Sequence, residues 1–182
     1  MVILGSTGSI GTNTLEICSR HGVSVEALSC AKNIALLNEQ IAKFRPKFVC
    51  VADESLASEV KILKKSQIFV GAGGLLEMLE ACHSQKVVNA IVGFAGLAPS
   101  LKTQELGKSL ALANKESLVA GGKFLDTAKI LPIDSEHFGL KFLLQNRTAP
   151  SRLIITASGG AFYRTPMKNL ARVTPNDALK HP

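Results

Sequence analysis

The sequence predicts an α/β fold: a doubly wound, mostly parallel sheet with helices on both faces. Three observations predict it. Short apolar runs alternate with helix-patterned segments from Val2 to Ile133. The strand-like runs are nearly continuous in apolar residues, as buried parallel strands require. The first of them leads straight into a glycine-rich turn and a helix.

The elements follow in order. Val2–Leu4 is the first strand and Ile10–Ser19 a helix with Ile10, Leu15, Ile17 and Cys18 apolar. Val23–Leu28 is the second strand. Ile34–Phe44 carries Leu36, Leu37, Ile41 and Phe44 at helical spacing. Phe48–Val51 is a strand, Glu54–Lys65 a helix, Ile68–Val70 a strand, Leu75–Cys82 a helix and Val87–Val92 a strand. Pro99–Leu106 starts with proline in its first turn, where the missing N–H costs nothing. Leu110–Leu112 is a short strand. Ser117–Ala128 is expected to be helical despite Gly121-Gly122, and Ile130–Ile133 closes the series. After Gln145 the texture turns polar. "QNRTAPSR" suggests a linker, so the expected domains are 1–146 and 147–182. Arg152–Ala157 suggests a strand of the second unit, followed by the loop "SGGAFYRTP" and a short helix-like end.

Bulk composition narrows the function classes. The chain has 182 residues, 46% of them hydrophobic and 19% charged, enough for a sizeable core and too apolar for disorder. No apolar run is long enough to span a membrane, and Met1–Leu4 is too short for a signal-peptide core, so a cytoplasmic protein is expected. The four cysteines form no Cys-x-x-Cys pair and suit reduced core thiols. The net charge of +7 suits nucleic acid or a small phosphorylated ligand. Trp is absent, Tyr occurs once and the cations are spread along the chain, which argues against nucleic acid.

The turn "GSTGSIG" at Gly5–Gly11 is a variant of the dinucleotide-binding fingerprint of Rossmann-like domains. Gly5 allows a sharp turn off the strand. Gly8 allows the backbone to approach a pyrophosphate, and Gly11 allows close helix packing. The helix N-terminus then faces the phosphates, with Ser6, Thr7 and Ser9 as further hydroxyl donors. A glycine-rich turn with no ligand is the alternative. At the end of the second strand, where NAD-binding proteins place an acid, stand Ser29-Cys30-Ala31-Lys32-Asn33. Lys32 attracts a 2′-phosphate that an acid would repel, so NADP is expected rather than NAD.

Three further segments carry polar clusters. "ALANKES" ends a late strand with Asn114, Lys115, Glu116 and Ser117. It is a ligand site at a strand end or a capped helix start. "PIDSEH" places Asp134 and Glu136 on the same side of an extended segment, as a hard divalent cation wants, or else Asp134 or Ser135 caps a helix. "TASGGAFY" offers Ser158 beside two glycines, a phosphate loop or an ordinary turn.

Taken together, GSTGSIG, AKN (31–33), ALANKESLV, PIDSEH, TASGGAF and the closing LKHP resemble the 1-deoxy-D-xylulose 5-phosphate reductoisomerase family over the whole chain. The resemblance implies NADPH on Thr7, Gly8, Ser9 and Ile10, with Ala31, Lys32 and Asn33 at the 2′-phosphate and Asn114 and Glu116 also touching the cofactor. It implies Mg²⁺ or Mn²⁺ on Asp134 and Glu136. Substrate contacts fall to Lys115, Ser135, Glu136, Ser158 and His181, with Lys115 and Glu136 catalytic. Ala31 and Ala161 depart from the Gly and Pro usual in the family. The implied substrate is a small phosphorylated sugar, rearranged and then reduced, by a homodimer when full-length. Family members run about as long again past the His-Pro pair, into a flap, a third metal carboxylate and the main phosphate site. The chain is therefore expected to be an NADPH-binding domain plus the opening of an α+β catalytic domain, inactive alone. Two rivals remain: another NADP-dependent dehydrogenase of this fold, which needs no metal, and a non-catalytic NADP-binding module.

Overall fold

Seven strands form one sheet in the order β4-β3-β2-β1-β5-β6-β7, and every pairing is parallel. The strands are β1 (Val2–Leu4), β2 (Ala27–Cys30), β3 (Phe48–Val51), β4 (Gln67–Val70), β5 (Lys86–Asn89), β6 (Ser109–Leu112) and β7 (Ile130–Pro132). The helices are α1 (Ser9–Arg20), α2 (Ile34–Phe44), α3 (Gly71–Ala81), α4 (Leu97–Glu105), α5 (Lys115–Gly121), α6 (Ser135–Leu144) and α7 (Pro175–Ala178). This computed structural model describes residues 1–145, 150–154 and 160–180. The packing divides the chain into Met1–Asp134 and Ser135–Pro182. The expected boundary at 146/147 falls on residues outside those described.

Alternation along the strands builds the core of the first unit. Ile3, Leu28, Val49 and Val51 point to one face, where Leu15 of α1 and Leu37 and Ile41 of α2 cover them. Val2, Leu4, Ala27, Cys50 and Val87 point to the other, under Leu75, Met78 and Leu79 of α3. A smaller cluster of Leu110, Leu112, Leu125 and Ile130 supports β6 and β7. All four cysteines are free and buried, as expected of core thiols. Burial pushes the Cys30 thiol up to about 11 and those of Cys50 and Cys82 up to about 12. Few thiolates form at neutral pH, so native protein at pH 7.5 should react with iodoacetamide far more slowly than unfolded protein. Equal alkylation rates, read by mass spectrometry, would contradict this packing.

Several element boundaries differ from the expected ones, each for a local reason. The second strand starts at Ala27 rather than Val23, because the Val23 N–H donates to Cys18 O at 2.9 Å and still belongs to the end of α1. Residues 54–65 form only a 3₁₀ turn over Glu54–Glu59, opened by Asp53 accepting from the Ser55 N–H. Helix α3 starts earlier, at Gly71, where its glycines hid the helical pattern. Strand β5 stops at Asn89 rather than Val92. The Asn89 Oδ1 accepts from the Ile91 N–H, while its Nδ2 donates to Gly96 O and Ser100 Oγ, and these bonds replace the ladder. Helix α5 breaks at Gly121, short of the Ala128 expected, and two 3₁₀ turns follow.

The second unit contains α6, a 3₁₀ turn over Met167–Arg172 and α7. On α6 the Phe138 and Phe142 rings stack with centroids 6.4 Å apart. A capping box between Thr174 and Asp177 starts α7. Bonds from the Thr174 hydroxyl and then Lys180 hold the Asp177 carboxyl well below the usual carboxylate range. Of the strand expected over Arg152–Ala157, residues 152–154 are not in a strand and the remainder lies outside the described residues.

Candidate functional site

The chain builds outward from β1 in one direction as far as β4, then returns to lay β5 on the other side of β1. That reversal leaves a crevice outside the carboxyl ends of β1 and β5, the place where open parallel sheets bind ligands. A cavity of about 400 Å³ occupies it. Its floor is the glycine turn with Gly5, Thr7 and Gly8. Its walls include Ala31 after β2, Ala72 of α3, Ala90–Val92 after β5 and Ala98 of α4. Small apolar side chains leave room for a flat ring system.

The three glycines of the turn serve different needs. Gly5 has φ +75°, and a Cβ there would lie 2.8 Å from the Ala90 carbonyl oxygen. At Gly11 a Cβ would meet the Gly5 carbonyl oxygen at 2.3 Å. Packing within the protein therefore excludes side chains at both. Gly8 is different: its nearest contact would be Gly5 O at 3.4 Å, an ordinary van der Waals distance, and its φ is −79°. Nothing in the chain itself needs Gly8 to lack a side chain, whereas a group resting on the turn would.

The start of α1 is chemically open. No side chain caps it and no acid stands in its first turn. The N–H groups of Ser9, Ile10 and Gly11 have no partner among the described residues. Such a terminus carries partial positive charge and favours an anion. Ser6, expected from the sequence as a further hydroxyl donor, is turned inward. Ser6 is not a ligand donor: it is fully buried, its N–H donates to Ser29 O at 2.8 Å and its hydroxyl to Gln40 Oε1 at 2.7 Å. Thr7 lines the cavity and Ser9 is exposed.

Beyond β2, Lys32 and Asn33 are exposed beside the cavity wall at Ala31. The Asn33 Oδ1 accepts from the Leu36 N–H at 3.2 Å and so caps α2, which leaves its amide NH₂ as a donor. No acid follows β2. The nearby Asp53 carboxyl is held below its usual range first by the Ser55 hydroxyl and, more weakly, by the Lys32 charge.

At the end of β6, Asn114 is the N-cap of α5. Its Oδ1 accepts from the Ser117 N–H at 2.7 Å and from the Ser117 hydroxyl. Its Nδ2 donates to Ile91 O at 2.5 Å and Gly93 O at 2.6 Å. The side chain is fully engaged and ties α5 to the loop that walls the cavity. Lys115 and Glu116 are exposed on the first turn of α5.

Asp134 is the last residue of the first unit, and Glu136 lies in the first turn of α6 in the second. The extended backbone expected to align these carboxylates is absent, because Ser135 already opens the helix. Ser135 donates its hydroxyl to Glu136 Oε2 at 3.1 Å. Among the described residues no three His, Cys, Asp or Glu side chains converge. Ser158 and His181 lie outside the described residues.

Sequence reasoning missed Gln40 and Asn89, which are buried polar groups with structural partners at the crevice. Gln40 had a signal: it falls within the apolar stripe Leu37, Ile41, Phe44 of α2, where a polar residue needs a partner.

Residues 1–122 match the family model of 1-deoxy-D-xylulose 5-phosphate reductoisomerase, and residues 130–182 match that of its C-terminal domain. The chain is 97% identical to the reductoisomerase of Campylobacter curvus and 52% identical to that of Campylobacter jejuni strain RM1221. It is covered completely in both cases and spans about half (50%) of each relative's length. Among solved structures, the Zymomonas mobilis reductoisomerase in complex with NADPH superposes with a TM-score of 0.83 at 38% identity, over 100% of this chain and 51% of that one. A reductoisomerase in complex with NADPH, fosmidomycin and magnesium gives 0.77 at 31% identity, over 100% and 50%.

Proposed function

Since this chain belongs to the 1-deoxy-D-xylulose 5-phosphate reductoisomerase family, we propose that it is the NADPH-binding domain and the opening of the catalytic domain of such an enzyme. The reaction is the rearrangement and reduction of 1-deoxy-D-xylulose 5-phosphate to 2-C-methyl-D-erythritol 4-phosphate. The observation that carries the reading is the uncapped start of α1 at the β1/β5 switch point, with Gly8 open toward the cavity.

The turn residues Thr7, Gly8, Ser9 and Ile10 hold the pyrophosphate through the free N–H groups and the Thr7 hydroxyl. The cavity takes the adenosine against Ala31, while Lys32 and the Asn33 amide hold the 2′-phosphate. Asn114 contributes by fixing the loop Ile91–Gly93 that walls the cavity, and Glu116 by its place beside the cofactor on α5. Lys115 orients the reacting oxygens of the substrate. Asp134 and Glu136 supply the hard oxygen donors that Mg²⁺ or Mn²⁺ prefers. When bound, that ion supplies Lewis acidity to the substrate oxygens and NADPH supplies the hydride. Ser135, Ser158 and His181 complete the substrate contacts within this chain. The working protein is a cytoplasmic homodimer that acts on a small phosphorylated sugar, not on nucleic acid or membrane. Among the described residues no helix is long and apolar enough to cross a membrane.

The test is turnover by the full-length protein, followed by the loss of reduced-nicotinamide absorbance with substrate, NADPH and Mn²⁺. Activity should require both substrate and cation, and a chelator should abolish it while leaving NADPH binding unchanged. Turnover that survives the chelator would point instead to a metal-independent dehydrogenase of this fold. NADPH binding without any turnover would point to a non-catalytic module.

A further inference from the structure

Gln40 occupies an expensive place. It is 5% exposed on the inner face of α2, beside Leu37 and Ile41, both wholly buried. A primary amide there requires partners for both of its ends. It finds both on one residue 34 positions away in the chain. The Gln40 Nε2 donates to the Ser6 carbonyl oxygen at 2.9 Å, and the Ser6 hydroxyl donates to Gln40 Oε1 at 2.7 Å. The same stretch is fixed from a second side by β2: Ser6 N–H donates to Ser29 O at 2.8 Å, and Gly5 N–H to Ser29 Oγ at 3.1 Å.

These bonds hold the turn itself rather than the core around it. An apolar pair of the same shape could replace a buried neutral hydrogen-bonded pair at little cost in stability. What such a pair would lose is direction. The Ser6 peptide is locked on its carbonyl, its N–H and its side chain, and so sets the orientation of the peptides that follow. Those peptides run through Thr7 and Gly8 to the free N–H groups at Ser9, Ile10 and Gly11. We propose that Gln40 is a positioning residue for cofactor binding: it aims the glycine turn at the pyrophosphate from behind, without touching the ligand. The proposal rests on the reading of this crevice as an NADPH site.

The test compares two ligands in the full-length protein. NADPH uses the turn, whereas adenosine 2′-monophosphate reaches the Ala31–Asn33 site but lacks the pyrophosphate. Gln40→Met keeps the side-chain volume and removes both bonds to Ser6. NADPH binding should weaken about tenfold, while adenosine 2′-monophosphate binding stays within about twofold. Ile41→Val, one residue along α2, should destabilise the fold and leave both affinities unchanged. Ser6→Ala removes only the hydroxyl half of the pair, so NADPH binding should weaken less than in Gln40→Met; it serves as the second variant if Gln40→Met does not fold. Unchanged NADPH affinity in Gln40→Met, or in Ser6→Ala where that is the variant that folds, overturns the proposal. Equal loss of both ligands also overturns it, since that is the mark of a general structural role. A wild type that binds neither ligand overturns the cofactor reading, and this proposal with it.

Discussion

Asp134→Asn in the full-length protein is expected to lower kcat about a thousandfold while the Kd for NADPH stays within about twofold. A cation acting on substrate oxygens supplies several kcal/mol of transition-state stabilisation, and about 4 kcal/mol corresponds to a thousandfold in rate. An amide in place of the carboxylate would remove one of the carboxylate charges proposed to hold the ion. The cofactor is spared because of the sheet order. Asp134 follows β7, and β7 lies three strands from β1. At about 4.8 Å per strand, that separates it from the glycine turn by about 14 Å. Stopped-flow turnover and a fluorescence titration of NADPH read the two quantities separately. A variant that loses NADPH binding together with activity would show that Asp134 supports the fold rather than the metal.

Substitutions at Gly11 and Gly8 are expected to separate folding from binding. In Gly11→Ala the new methyl group would stand 2.3 Å from Gly5 O and 2.6 Å from the Ser6 Cα, both backbone atoms that cannot swing away. The start of α1 must shift, so the melting temperature should fall by several degrees and NADPH binding should be lost. In Gly8→Ala the methyl group meets only Gly5 O at 3.4 Å with an ordinary φ, so the fold should be unaffected. NADPH binding should nevertheless weaken by about tenfold or more, because the methyl group stands where the pyrophosphate approaches. Calorimetric melting with and without NADPH distinguishes the cases. Wild-type affinity in Gly8→Ala would mean that no ligand rests on this turn.

Much of this fold is legible in the sequence, because a parallel sheet buried on both faces leaves strands such as Phe48–Val51 as apolar runs. Helix α2 shows at its full length because Leu37, Ile41 and Phe44 keep helical spacing and Asn33 caps it. The misplaced boundaries share a cause. Asn89, Asp53 and Val23 each divert a hydrogen bond from the regular pattern, and hydropathy does not register hydrogen bonds. The glycine turn was legible as a motif, but the inward rotation of Ser6 was not, since it depends on Gln40, which is remote in sequence. Likewise, the pair Asp134 and Glu136 was visible by spacing. The helix that starts between them was open only as an alternative, since Ser135 can either cap a helix or continue a strand.

If the crevice at the β1/β5 switch point binds NADPH by its pyrophosphate and its 2′-phosphate, NADPH and NADH should differ in affinity there. Titration of NADPH and NADH into wild type and Lys32→Glu measures that difference. Wild type is expected to prefer NADPH by about ten- to a hundredfold, the range for one charge-assisted contact, and Lys32→Glu to close most of that gap by weakening NADPH alone. Equal wild-type affinities for the two cofactors, or a preference that survives Lys32→Glu intact, would contradict this mode of binding.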